Sequence, residues 1–279
     1  HGLRYWDEEV ELNIDGKWEG TNIKVLNLDP TTWEGVQNIV RMGMARDHFT
    51  VGDQIMSDYD GGEIIWEVIG IDIDTPENPS LTHSMTLQTK DCLHNIQFDA
   101  PEPSNPDGSR GYHGNNRFNY SAVRQWLNSV EDTFTWQSQH QYDAKPTANP
   151  ELYNGAGFLN RLDPELVSVL GAVNKKVALS TEADGGGQEE FADKVFLLSQ
   201  KEVDLGEEGV ATGESIYPFY QDKGDANRIK NLNTSPRYWW LRSPFVSQSA
   251  GVRQVSTSGS LSNDLARLSF GLSPACTIV

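Results

Sequence analysis

Apolar side chains at Trp33, Val36, Val40 and Met44 recur at helical spacing behind Pro30 and a Thr31/Glu34 pair with capping-box separation. This predicts a helix from Asp29 to Arg46, ended by Val51-Gly52-Asp53. Ile64, Ile65, Trp66, Val68, Ile69 and Ile71 then form a nearly continuous apolar run, the pattern of a buried strand, and Met85-Thr86-Leu87 predicts a second one. Val123, Trp126 and Leu127 share one face of a helix over Tyr120 to Asn128, and Asp163-Pro164 opens a third helix carrying Leu166, Val169, Leu170 and Val173. Val177-Ala178-Leu179 and Val195-Phe196-Leu197-Leu198 read as strands around the acidic, glycine-rich TEADGGGQEEFAD, which predicts an exposed hairpin tip. The span from Asp99 to Asn116, rich in proline, glycine and polar residues, reads as a long loop with a functional role or disorder. Leu205 to Ser235 reads as mostly irregular.

The hydrophobic period fails altogether between Phe245 and Phe270. That stretch, FVSQSAGVRQVSTSGSLSNDLARLSF, holds seven serines and no Lys, Glu, Met, Trp, Tyr or Pro. It is no flexible linker, because Val252, Val255 and Leu261 recur around a Thr257-Ser258-Gly259 turn signal and the chain continues into the apolar Ala275-Cys276-Thr277-Ile278-Val279. Short β-strands with polar side chains on the outward face fit this pattern. Tyr238, Trp239 and Trp240 precede it; consecutive aromatics on a strand point to opposite faces, so at least one belongs to the core.

YWWLRSP, Ala250, Val255, Gly259, Leu261, Ala266 and Gly271-Leu272-Ser273-Pro274-Ala275 together resemble the C-terminal region of variable proteins diversified by retroelements in phages and bacteria. Upstream, TTWEGVQNIVRMGMARDHFTVGDQI, IIWEVIGID, NYSAVRQWLN and DKVFLLSQKEV follow in the order seen in a phage and Firmicutes group of such proteins, so the resemblance runs from about Thr31 onward. The chain departs from that group at GLSPA, where the commoner ending is GVRPA.

The resemblance implies an α+β, C-type-lectin-like fold over 31–279, with 241–276 as the variable region and 1–30 as an N-terminal extension or oligomerisation segment. It implies adenine-directed rewriting of AAY codons, which never yields Lys, Glu, Gln, Met or Trp; Gln248 and Gln254 therefore fall to the framework. The implied ligand-binding positions are Phe245, Val246, Ser247, Ser249, Arg253, Ser256, Ser258, Ser260, Ser262, Asn263, Asp264, Arg267 and Ser269. Trp239, Trp240, Arg242, Val255, Gly259, Leu261 and Gly271 are the implied framework, with Arg242 expected to hold the loop after it by bonding backbone carbonyls. The implied function is non-enzymatic recognition of a bacterial cell-surface protein or glycan. The chain would sit on a virion surface or tail tip, or alternatively on a bacterial cell surface, and homo-oligomers would present several weak sites together.

Charge narrows the partners. A net charge of -18 and a pI near 4.6 exclude a phosphate-backbone partner and disfavour an anionic membrane surface, while Arg253, Asp264 and Arg267 are the only charges between Phe245 and Phe270. No apolar run approaches the roughly 18 residues of a membrane span, which argues against membrane insertion, and HGLRYWDEEVEL does not read as a signal peptide.

Catalytic signals are sparse. The six histidines lack paired spacing, there is no GxSxG elbow, and Gly155-Ala156-Gly157 reads as a turn, so no catalytic residue is assigned. Asp58-Tyr59-Asp60-Gly61-Gly62 and Asp72-Ile73-Asp74 offer oxygens to a structural calcium, yet neither completes an EF-hand loop. The sugar-binding signatures EPN, QPD and WND are absent as intact motifs, and no cofactor or metal ligand is assigned. Cys92 and Cys276 have no CxxC spacing and read as two buried thiols rather than a disulfide. Two alternatives to recognition remain: a formylglycine-generating-enzyme-like oxidoreductase, whose chemistry needs a cysteine pair, and a structural phage decoration protein.

Overall fold

The computed structural model describes residues 26–279, together with the backbone of two short paired strands, β1 (Arg4–Trp6) and β2 (Ile23–Val25). Apart from that pair, the expected N-terminal segment lies outside the described residues as far as position 25. Helices α1 (Trp33–Arg41) and α2 (Ala45–His48) lead into strands β3 (Gln54–Tyr59), β4 (Gly62–Ile71), β5 (Thr75–Pro76), β6 (Met85–Thr89) and β7 (Asn95–Gln97). Five short helices follow: α3 (Gly108–His113), α4 (Ala122–Leu127), α5 (Pro150–Tyr153), α6 (Phe158–Arg161) and α7 (Pro164–Val169). The remainder is β8 (Val173–Ala178), β9 (Gln188–Asp193), β10 (Val195–Phe196), β11 (Lys230–Leu232), β12 (Ser235–Arg237), β13 (Trp239–Pro244), β14 (Gly251–Val255), β15 (Leu261–Leu265), β16 (Ser269–Gly271) and β17 (Ala275–Ile278).

The result is a mixed α+β fold. Its two largest sheets run β10-β17-β6-β4-β3 and β15-β14-β13-β16-β7, and a smaller one runs β5-β8-β9. All ladders are antiparallel except the single β13–β16 pairing at Trp239 and Gly271. Trp66, Trp126, Trp239 and Trp240 are fully buried between these layers. Trp240 meets Phe270 edge-on at 4.9 Å and donates its indole N–H to the Ile96 carbonyl at 2.9 Å. A buried indole needs such a partner, because an unmet donor in the core costs as much as a lost hydrogen bond.

Local signals account for the helices. Asp163 caps α7 and Ser121 caps α4, each accepting a first-turn amide hydrogen. The cap of α1 is Thr32 rather than the expected Thr31, whose hydroxyl donates instead to Asp29. The predicted helix over 29–46 is broken in two at Met42-Gly43, with Gly43 at φ +70°, so it ends well before the Val51-Gly52-Asp53 turn. Val173 starts β8 instead of extending α7, because Leu170 already has extended backbone and bridges to Ile278. The 99–116 loop contains a helix, α3, capped by Asp107. Cys92 and Cys276 are both buried free thiols.

Candidate ligand-binding surface

The serine-rich segment folds as a hairpin at a sheet edge. β14 pairs on one side with the buried β13 and on the other with β15, which has no further neighbour in that sheet. Cross-strand partners share a face. Arg253 and Asn263 therefore lie on one face with Val255 and Leu261, and Ser262 and Asp264 lie on the other with Gln254 and Val252. All five residues of β15 are half-buried, so the expected single outward face is instead the two sides of an edge strand.

At the hairpin tip the Ser256, Ser258 and Ser260 hydroxyls form a triangle with oxygen separations of 2.9 to 3.1 Å. Gly259 turns this tip at φ +86°, and a Cβ there would collide with the Asp225 carbonyl. Only glycine satisfies both the left-handed backbone and the close approach. Gly271 is framework for a related reason: a Cβ would lie 2.6 Å from the Cys92 sulfur.

Before β14, the chain from Phe245 to Gly251 makes a tight loop closed by the Phe245 amide on the Gly251 carbonyl. Its carbonyls are held from outside. Arg110 Nε donates to Ser249 O at 3.1 Å, Asn116 Nδ2 to Gln248 O at 2.7 Å and to Gly251 O at 3.0 Å, and the Thr181 amide and hydroxyl both donate to Val246 O. Arg110 is itself fixed by a bidentate pair with Asp184, both side chains nearly buried. The 99–116 loop and the tip between β8 and β9 thus clamp one backbone. Arg267 meets the 99–116 loop through His113, and Ser269 donates to Asn149, the residue before α5.

Two of the expected binding residues do not face outward. Ser249 is fully buried beneath the Arg110 and Asn116 contacts, and Ser256 is buried at the base of the hydroxyl triangle. Ser247, Ser258 and Arg267 are exposed, whereas Phe245, Val246, Arg253, Ser260, Ser262, Asn263, Asp264 and Ser269 are half-buried. Among the framework residues Trp239, Trp240, Arg242, Val255, Gly259 and Gly271 are buried, but Leu261 is only half-buried because it sits on the edge strand.

Arg242 holds different partners from those expected. It donates to the carbonyls of Lys176 and Leu197 and pairs with Glu202 and Glu214, while Lys175 pairs with Asp74 and Glu202. These two cations and three carboxylates, with the Tyr217 hydroxyl on Asp74, tie β13, β8 and the 199–217 segment together. Burial opposes ionisation of Glu202, but Arg242 and Lys175 outweigh it and hold that carboxyl down at about 2. The network also engages Asp74, one of the residues expected to offer oxygens to calcium: its oxygens accept from Lys175, Tyr217 and Thr86, while Asp60 is engaged by Arg161 and Asp72 by His83.

Beside the clamped loop lies a cleft of about 510 Å³, lined among others by Asn115, Arg117, Tyr120, His140, Tyr142 and Asp184. Arg117 lies over the Tyr120 ring at 4.1 Å and pairs with Glu189, and the His140 ring packs against the same Tyr120 at 5.0 Å. His140 also belongs to a cluster with Glu102 and Asp143, one ligand atom of each lying within 4.8 Å of the others. Sequence reasoning missed these residues. They stand on three loops without hydrophobic period, and the one available signal was the length of the 99–116 loop.

A family model described as a domain of unknown function, DUF6273, matches residues 84–279. The chain belongs to that family. No curated protein and no solved structure matches it. The DUF6273 match includes the hairpin, the clamped loop and every cleft residue named above. It begins one residue before β6, yet β6 is bonded to β4, so the β3–β4 hairpin upstream completes the same sheet as the DUF6273 strands. Helix α1 also reaches across this boundary: Gln37 and Arg41 donate to the Val279 carbonyl, and the Trp33 indole donates to Asp163.

Proposed function

We propose that the chain is a non-enzymatic recognition protein of C-type-lectin-like fold. In this reading the 245–249 loop, the β14–β15 hairpin and the adjoining cleft form a surface whose side chains a retroelement diversifies. It is carried on a phage virion or tail tip, or on a bacterial cell, and takes a bacterial surface protein or glycan. The observation that carries the proposal is the division of labour in the clamped loop. Arg110, Asn116 and Thr181, all outside the rewritten set, hold its backbone carbonyls, so side chains that reach the surface, such as that of Ser247, can change without loss of the bonds that shape it. Scaffolds that position variable loops are a common solution to recognition. The cleft adds the rigid aromatic faces of Tyr120 and Tyr142 beside Arg117, residue types that dominate binding hot spots.

The oxidoreductase alternative gains no support from the thiols. Burial pushes Cys92 up to about 12, and Cys276 is buried and raised for the same reason, so neither is an available thiolate near neutral pH.

The DNA beside the gene provides the test. The expected finding is a near-repeat of the 3′ coding end that differs almost wholly at template adenines, next to a reverse transcriptase. Intact flanking sequence with neither element overturns the diversification claim. Binding to virion components and to no bacterial cell overturns the receptor claim in favour of a decoration protein.

A further inference from the structure

Glu102 is a fully buried carboxylate that pairs with no Lys or Arg among the described residues. Its oxygens accept from the amides of Asn115, at 3.0 Å, and Asn105, and one oxygen lies 2.9 Å from His140 Nε2. Asp99 is buried within the same patch, bonded to the backbone amides of Asn115 and Ala122. Asp143, half-buried, receives the amides of Gln139 and Ala144. Arg110 and Arg117 line the adjoining cleft but are committed to Asp184 and Glu189. Two buried carboxylates and the half-buried Asp143 therefore lie together with one imidazole among them, an arrangement that burial makes costly.

A second observation concerns His140. Its Nε2 atom is buried and, despite the 2.9 Å separation from Glu102, makes no hydrogen bond, because the two groups are not aligned for one. The Tyr142 amide donates to Nδ1 over 3.4 Å, a long and weak bond that a change of tautomer would forfeit at little cost. The ring plane is held instead by stacking on Tyr120. An imidazole nitrogen near a carboxylate oxygen, close but not hydrogen-bonded, is the relationship two ligands of one ion have.

We propose that Glu102, His140 and Asp143 form a binding site for a first-row divalent metal ion, Zn²⁺ or Mn²⁺, beside the cleft that His140 lines. One ligand atom from each lies within 4.8 Å of the others. Ligands about 2.0–2.2 Å from a tetrahedral ion stand about 3.4 Å apart, so closure asks the widest pair to approach by roughly 1–1.5 Å, within the reach of side-chain rotation. The nitrogen ligand selects against Ca²⁺ and Mg²⁺, which take oxygen ligands. Asn105 and Asn115 on Glu102, and the Gln139 and Ala144 amides on Asp143, orient the carboxylates from behind as metal sites require. Three protein ligands leave coordination positions open, and His140 and Asn115, the donor to Glu102, both line the adjoining cleft.

The proposal is tested on the full chain with the metal salts alone. Equilibrium dialysis of chelator-treated protein against Zn²⁺ and Mn²⁺ should give one ion per chain for at least one of them, and should not for Ca²⁺. His140→Ala and Asp143→Asn should each weaken binding 100-fold or more, while Glu190→Gln, at an exposed carboxylate away from the cluster, should leave it unchanged. Glu102 is buried deeply enough that its replacement would confound folding with binding, so the two variants nearer the surface carry the test, each first checked for a cooperative melt. Retention of neither metal, or retention unchanged in both folded variants, overturns the site. This result is independent of whether the chain recognises a bacterial surface.

Discussion

The guanidinium of Arg253 lies over the Phe245 ring, 4.4 Å from its centre, and its Nε is buried without a hydrogen-bond partner. Burial holds this arginine below its ordinary pKa, so the ring face is the favourable surface its charge has gained in place of water. Phe245→Ala should uncover it. A double-mutant cycle with Arg253→Ala, read by urea melts, is expected to give a coupling of about 0.5–1 kcal/mol. Additive single effects would mean that the stack contributes nothing.

The buried and exposed serines of the segment should separate cleanly. Ser247→Tyr and Ser258→Tyr are expected to change stability by no more than about 0.5 kcal/mol. Ser249→Tyr places a ring where no side-chain surface is exposed, and should cost about 1–3 kcal/mol or more through overpacking. Equal melting temperatures for the Ser249 and Ser258 variants would refute the loop packing described here.

Gly259→Ala combines a positive φ with a clash against the Asp225 carbonyl. It should destabilise by about 1–3 kcal/mol, while Thr257→Ala on the exposed side of the same tip should be nearly silent. Trp240→Ala should cost about 3–5 kcal/mol, and Leu261→Ala, half-buried at the edge, distinctly less. Thermal melts of the four variants give the comparison.

Two groups set opposite ends of an acid titration. Glu202 has a folded pKa below its ordinary 4.5, so its contribution is complete above pH 4.5 and is lost as pH falls toward about 2. His94, hydrogen-bonded to the Tyr59 hydroxyl at 2.7 Å, is held by burial below the ordinary 6.5. The unfolded chain therefore binds its proton first, and the contribution present above pH 6.5 declines as pH drops below that value. Chemical denaturation of His94→Asn between pH 7.5 and 5 should give a shallower loss of stability than the parent protein. Glu202→Gln should cost about 3–5 kcal/mol at pH 7, because it leaves Arg242 and Lys175 underpaired in the core, and the penalty should shrink below pH 4.5.

Periodicity and caps made much of the scaffold legible. The apolar stripe of α1, the run of β4, the Val123, Trp126 and Leu127 face of α4 and Asp163-Pro164 before α7 are all short-range patterns, and the structure places an element at each. The segment around Arg242 was recognisable as framework, yet its partners were not: Glu202 lies 40 residues away and Glu202 lies 27 from Lys175, separations at which sequence carries no pairing signal. The cleft failed for the same reason. Arg110 in the short helix α3 and His140 and Asp184 in loops lie far apart in sequence, and only folding makes them neighbours. Ser249 and Ser256 were misplaced because small polar residues fit equally well in solvent and in a tight loop whose carbonyls are satisfied from outside.

β17 lies between β6 and β10 in the central sheet, and its Thr277 meets Thr86, 191 positions earlier in the chain. Such a pairing must close a very long loop before it returns any energy, which makes it a late event on the route to the native state. Until β17 slots in, β6 and β10 each present an unpaired edge flanked by apolar surface, open to strands of neighbouring molecules. The order of assembly thus makes dilution a determinant of yield: refolding should be slow at every concentration, and productive mainly where one chain meets its own β17 before it meets another chain.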